Sequence, residues 1–136
     1  MVAVIAVILG ALAALLHVYI FWMESFAWRR PAVWRRFGVA SQEAADTVKP
    51  MAYNQGFYNL FLAAGTAIGL VLFEVGASGS PLRAAGFALA LFALLSMVCA
   101  ALVLVTSGRR YIGAAMVQGM APLLASGLLI IAFVTS

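Results

Sequence analysis

Two ionisable side chains lie in the first apolar stretch of the chain, within the sequence HVYIFWMESF. His17 and Glu24 are seven residues apart, which is two turns of an α-helix, so a helix would place both on one face. An imidazole and a carboxyl group on one face can move a proton or hold a polar ligand. Because ionisable groups are expensive inside a bilayer, both residues are functional candidates.

Amide and phenol side chains open the second apolar stretch, in the sequence MAYNQGFYNLF. Asn54 and Tyr58 are four residues apart, as are Gln55 and Asn59, so they form two adjacent polar stripes on a helix. Gln118 lies in the fourth stretch, roughly 10–12 Å from its start at ~1.5 Å per residue. Since these depths match, we predict one polar pocket bounded by the first, second and fourth stretches, in the cytoplasmic half of the membrane and open or nearly open to the cytoplasm.

Four functions fit this polar block. The leading hypothesis is a pocket that binds a small or amphipathic ligand, in which His17 exchanges a proton, Glu24 orients it or holds a cationic group, and the amides fix the ligand. The alternatives are an isomerase or transferase that uses His17 and Glu24, an oligomeric small-molecule transporter, and a purely structural network that locks the helices together. The residues alone leave open which of these applies, whether the protein is an enzyme, and whether it uses a cofactor.

A metal site is not predicted. One histidine and one glutamate two turns apart provide too few ligands, and they are not the i, i+4 pair expected on a helix.

The composition excludes a soluble globular domain. Of the 136 residues, 66% are hydrophobic and 9% are charged, whereas soluble domains are roughly half apolar and about a quarter charged. So short a chain cannot bury this much apolar surface. The net charge of +4 comes from residues beside apolar stretches, so we predict a lipid bilayer as the partner and no nucleic acid.

Four apolar stretches are each long enough to cross a bilayer, which takes roughly 20 helical residues. They run from about 2–28, 51–75, 82–106 and 111–134. Their apolar character is continuous and not alternating, which favours helices over a barrel. We therefore predict an all-α polytopic membrane protein, a four-transmembrane-helix bundle that forms a single domain over residues 1–136.

The basic residues predict the orientation. Seven of the eight lie in the first and third connections: Arg29, Arg30, Arg35, Arg36, Lys49, Arg109 and Arg110. Because positively charged connections stay in the cytoplasm, we expect both termini on the extracytoplasmic side of the plasma (inner) membrane.

The first connection, residues 29–50, is predicted to be an amphipathic cytoplasmic loop. Pro31 can begin a helical turn, and Gly38 can end it. Ser41 is a candidate N-cap for a short second helix, which we expect to stop at Pro50.

Small residues in the second stretch predict close helix packing. Gly65 and Gly69 form a GxxxG pattern, which lets helix backbones approach each other in lipid. The pattern fits contacts within the chain or between copies, so a homo-oligomer stays open.

Four features follow one another along nearly the whole chain. They are the block HVYIFWMESFAW, the Phe37-Gly38 turn, the block KPMAYNQGFYNLFLAAG and a final span with a glutamine. In this combination the chain resembles the DUF1304 family of small integral membrane proteins. The resemblance implies the topology, but it implies no reaction, ligand or partner, because the family is named for its unknown function. The first loop is richer in arginine than the family pattern, and this difference does not touch the polar block.

Overall fold

The structure is a computed structural model, and it describes residues 1–135. The helices are α1 (Val2–Ser25), α2 (Pro31–Trp34), α3 (Gln42–Val75), α4 (Pro81–Thr106) and α5 (Ile112–Val134). Short 3-10 turns lie at Arg35–Phe37 and Arg109–Tyr111. Residues 1–135 contain no β-strand, so the predicted all-α class is confirmed.

The four long helices, α1, α3, α4 and α5, are long and apolar enough to cross a membrane. Large apolar side chains cover the outside of the bundle: Leu15 is 65% exposed, Phe92 is 71% exposed and Leu102 is 61% exposed. Exposed apolar area on this scale is unfavourable in water, whereas lipid acyl chains cover it readily. These helices therefore form a multi-pass membrane protein, as predicted.

Each long helix packs against two others. α1 contacts α3 and α5, and α4 contacts the same two helices from the opposite side. Gly10 near the start of α1 meets Leu70 near the end of α3, and the rings of Phe87 and Phe133 stack 4.0 Å apart between the start of α4 and the end of α5. The described N- and C-terminal residues therefore lie at one end, called here the terminal end. The opposite end holds seven basic residues and is called the basic end.

Alanine forms much of the interior. A central cluster joins all four long helices, and its alanines are Ala6 and Ala13 of α1, Ala90 of α4, and Ala125 and Ala132 of α5. The larger buried side chains of this cluster are Leu70, Phe73, Leu94, Met97 and Leu129. Small side chains at the helix contacts allow close approach of the backbones, which provides the packing that holds helices together in lipid.

The backbones of α3 and α4 approach each other closely at Gly69. A Cβ at this position would come 2.8 Å from the Cα of Ala90, whereas a Cβ at Gly65 would lie 3.5 Å from the Ala93 Cβ. Both glycines of the GxxxG pattern therefore face α4 of the same chain.

The first connection folds into a cap over the basic end. Pro31 begins α2 and Gly38 ends the following 3-10 turn with φ of 78°, as predicted. Trp28 and Trp34 are buried there with Ala45 and Ala52 of α3. Part of the predicted loop is thus a packed layer.

The expected stop at Pro50 is wrong, because α3 runs without a break from Gln42 to Val75. Ser41 is its N-cap, and the Ser41 hydroxyl accepts a hydrogen bond of 3.1 Å from the amide of Ala44. Pro50 has no N–H, so the carbonyl of Asp46 lacks its helical hydrogen bond. Asp46 lies in the exposed, charged first part of α3, where water can donate a hydrogen bond to that carbonyl instead. Packing of the flanking alanines against the cap favours the continuous helix.

Candidate functional site

Glu24 and Asn59 join α1 to α3 near the basic end. The Asn59 Nδ2 donates a hydrogen bond of 2.9 Å to the Glu24 Oε2 and a second one of 3.1 Å to the backbone carbonyl of Gln55. Glu24 is 3% exposed although it lies one residue before the end of α1. A buried carboxyl group thus has one amide donor from the neighbouring helix.

Gly56 allows this contact. A Cβ at this position would collide with the Ser25 hydroxyl, and it would lie 3.2 Å from the Cβ of Glu24 and from the carbonyl of Phe21. Any larger residue would push α3 away from α1 at the level of the carboxyl group. The glycine within the NQGFYN block therefore determines how close Asn59 comes to Glu24.

His17 is buried two turns deeper in α1 and is 2% exposed. Its Nδ1 donates a hydrogen bond of 2.9 Å to the Ala13 carbonyl of the preceding turn. In the neutral imidazole this leaves Nε2 as an acceptor. No hydrogen bond joins His17 to Glu24 in the described part of the chain.

Among the residues that the structure describes, the side chains of the other predicted site residues form no hydrogen bond with the Glu24–Asn59 pair. Asn54 and Gln55 are exposed on α3, and Tyr58 is 58% exposed. Tyr58 lines an apolar groove of about 310 Å³ between α3 and α4. Gln118 is half-buried on α5, and no hydrogen bond of residues 1–135 links it to Glu24 or Asn59. Of the seven predicted residues, the structure brings Glu24 and Asn59 into direct contact.

A cleft of about 380 Å³ opens beside Glu24 at the basic end. Its other lining residues are Ser25, Phe26, Trp28, Arg29, Lys49 and Tyr53. The cleft combines one buried carboxyl group, two cations and three aromatic rings at the level where α1 ends. Such a lining can bind a ligand that carries both charges and an apolar part.

Two hydrogen bonds hold the cleft walls together. The Trp28 Nε1 donates to the carbonyl of Ala45 at 3.0 Å, and the Ser25 hydroxyl donates to the carbonyl of Tyr53 at 3.3 Å. They connect the last residue of α1 and the segment just after it to the first half of α3. The cleft therefore depends on the extension of α3 through Pro50, since this extension carries Lys49 and Ala45.

Sequence reasoning missed most of the cleft lining. From the sequence, Arg29 and Lys49 are predicted to be orientation signals, which basic residues beside a span usually are. Lys49 and Tyr53 are four residues apart, so a continuous helix would have placed both on one face. The expected break at Pro50 concealed that signal. Nothing in the sequence indicated Ser25.

The described residues contain no group of three or more His, Cys, Asp or Glu side chains that could hold a metal ion. The single cysteine, Cys99, is exposed on the outside of α4.

The comparisons with known proteins place the chain in a family. The family model described as "Protein of unknown function (DUF1304)" matches residues 11–130. No curated protein and no solved structure matches the chain. The family match covers the region from α1 into α5 that contains His17, Glu24, the NQGFYN block and Gln118. The chain therefore belongs to the DUF1304 family of proteins of unknown function, as its sequence blocks predicted.

Proposed function

We propose that this integral membrane protein binds a small or amphipathic ligand at the basic end, with Glu24 as the central binding group. The observation that carries the proposal is that Glu24 is 3% exposed and yet lines an open cleft. Its only described hydrogen-bond donor is Asn59, and it forms no ion pair within residues 1–135. Because a buried carboxyl group is expensive when it is incompletely paired, a ligand that brings donors stabilises it.

The predicted site residues have unequal parts in this proposal. Glu24 holds a cationic or hydrogen-bonding group of the ligand, and Asn59 fixes the carboxyl group. His17 lies deeper and supplies a proton donor or acceptor only to a ligand that reaches past Glu24. Asn54, Gln55, Tyr58 and Gln118 lie outside the lining of this cleft, so the proposal gives them no contact with the ligand.

Protection of a cysteine in the cleft tests occupancy whatever the identity of the ligand. The variant carries Cys99→Ala and Tyr53→Cys, since Tyr53 is exposed and lines the cleft. We expect slow labelling by a water-soluble maleimide in native membranes and faster labelling after extensive detergent washing. Gln42→Cys, which is exposed at the same end outside the cleft, is the control and should label equally in both. Equal labelling of Tyr53→Cys in both preparations would contradict a bound ligand.

A structural role is the second candidate, because the Asn59–Glu24 hydrogen bond connects two helices. In this case Glu24→Gln, which keeps an oxygen that accepts from Asn59, should preserve everything the wild type does. In the binding role Glu24→Gln keeps the fold but loses protection of Tyr53→Cys. The labelling of Tyr53→Cys in the Glu24→Gln background therefore distinguishes the binding role from the structural role.

We further propose that the basic end faces the cytoplasm of a plasma membrane and that both termini lie outside. The support is the segregation of seven of the eight basic residues to one end. In intact cells of a Cys99→Ala strain, Ser78→Cys in the connection between α3 and α4 should react with an impermeant maleimide. Gln42→Cys should react only after permeabilisation. The reverse result would overturn the orientation.

A further inference from the structure

The cleft beside Glu24 has a charge arrangement that specifies a class of ligand, and this inference rests on the proposed binding function. Glu24 forms its buried wall, whereas Arg29 and Lys49 are exposed at its rim. Arg29 follows the end of α1, and Lys49 precedes the apolar part of α3. Two exposed cations and one buried carboxyl group thus line the same cleft.

These two cations differ from most others at the basic end. Aromatic side chains hold four arginines: Arg30 over Trp22 at 5.7 Å, Arg35 over Trp34 at 5.1 Å, Arg110 over Tyr111 at 4.6 Å, and Arg36 by a 3.3 Å hydrogen bond to the Tyr19 hydroxyl. Arg29 and Lys49 form no hydrogen bond, ion pair or aromatic contact within residues 1–135. Their donors are available to an anion.

A phosphate group fits the rim. The planar guanidinium and the ammonium group both form charge-assisted hydrogen bonds with phosphate oxygens. A simple anion bound at the rim would also lie near the Glu24 carboxyl group, and their negative charges would repel each other. Glu24 forms no ion pair within residues 1–135 that would reduce this repulsion. The ligand therefore needs a second group that donates hydrogen bonds to Glu24 and carries positive charge.

We propose that the cleft binds a phosphate ester with a nearby primary amine, as in the headgroup of an aminophospholipid. The phosphate lies between Arg29 and Lys49, and the ammonium group donates to Glu24. A quaternary amine fits less well because it has no N–H to donate. An aromatic cage for such a group would also need free ring faces, and Trp28 is 5% exposed and packs 5.3 Å from Phe37.

The test uses the full chain in mild detergent and native mass spectrometry with four probes. These are dioleoyl phosphatidylethanolamine, the phosphatidylglycerol and phosphatidylcholine with the same acyl chains, and water-soluble glycerophosphoethanolamine. We expect the ethanolamine lipid to bind about tenfold more tightly than the other two lipids, as one additional charge-assisted contact would give. Equal binding of the three lipids would overturn the assignment.

Matched variants identify which side of the cleft binds which group. Lys49→Gln should weaken all three lipids about equally, whereas Glu24→Gln should reduce the ethanolamine lipid to the level of the glycerol lipid. Arg109→Gln is the control for a free cation at the same end, and Glu74→Gln is the control for an exposed carboxylate at the terminal end. An effect of Arg109→Gln as large as that of Lys49→Gln would reduce the site to general surface charge and refute the proposal.

Competition distinguishes the two sources of the same chemistry. If glycerophosphoethanolamine in excess displaces the ethanolamine lipid, the ligand is a water-soluble aminophosphate, and if the lipid is retained, the ligand is a membrane lipid. The labelling of Tyr53→Cys separates this inference from the proposed function. If the cysteine of Tyr53→Cys is protected in native membranes but neither ethanolamine probe protects it, the ligand class is wrong and the binding function stands. Loss of protection in native membranes would overturn both.

Discussion

The hydrogen bond between Asn59 and Glu24 has a measurable energetic consequence. It is a single contact of 2.9 Å between α3 and α1, and its acceptor is 3% exposed. Interhelical hydrogen bonds in membrane proteins contribute ~0.6 kcal/mol on average and at most about 1.7 kcal/mol. The low exposure of Glu24 favours the upper part of this range, so we expect a coupling energy of about 1–1.7 kcal/mol.

A double-mutant cycle isolates this coupling from the other effects of each substitution. The variants are Asn59→Ala, Glu24→Ala and the combination of both. Asn59→Ala also removes the bond to the Gln55 carbonyl, and Glu24→Ala also leaves a cavity, but both terms cancel in the cycle. The free energy of unfolding is measured by titration with sodium dodecyl sulfate in mixed micelles, followed by circular dichroism.

The same substitution at Gln55 provides the control. Gln55 is one turn before Asn59 in the same block, and its side chain is exposed. We expect Gln55→Ala to change stability by less than about 0.5 kcal/mol and to show no coupling to Glu24→Ala. A coupling energy near zero for the Asn59 cycle, or one equal to that of Gln55, would refute the assigned contact and with it the structural role of the pair.

Three further substitutions test the fold that positions the cleft. Gly69→Ala should destabilise the bundle by about 1–3 kcal/mol, because its Cβ would meet the backbone of Ala90. Gly65→Ala should be neutral or stabilising in the same detergent titration. Equal effects of the two substitutions would contradict the α3–α4 packing. Ser41→Ala should cost about 1 kcal/mol and increase amide exchange in the first turn of α3, and unchanged exchange there would contradict the cap. Gly38→Ala should destabilise the cap by about 1 kcal/mol, since φ is 78°, and a stabilised protein would rule out that conformation.

The sequence predicted the polar pair less completely than it predicted the helices. The spacing of His17 and Glu24 placed both on one face of a helix, and both are indeed buried. The spacing did not predict the hydrogen-bond partner of either residue. His17 donates to the Ala13 carbonyl of its own helix, whereas Glu24 accepts from Asn59 of α3. Both choices depend on the rotation of α1 relative to α3.

The second polar block shows the same limit. Its two stripes, predicted from i, i+4 spacing, occur on α3, but Asn54, Gln55 and Tyr58 lie on the outside and only Asn59 faces α1. Periodicity determines which residues share a face, and it does not determine which face is buried. Gly56 determines the buried face of this part of α3, because α1 can approach α3 only where no Cβ intervenes.

The sequence alone determined that this protein is an all-α membrane protein with four spans, because continuous apolar stretches of this length permit little else. It also determined the segregation of the basic residues, since charge position follows directly from the order of the spans. Only the tertiary structure decided that α3 continues through Pro50 and brings Lys49 and Tyr53 beside Glu24. The physical reason is that packing against Trp28 and Trp34 outweighs the local preference of proline, and that packing joins segments distant in the chain.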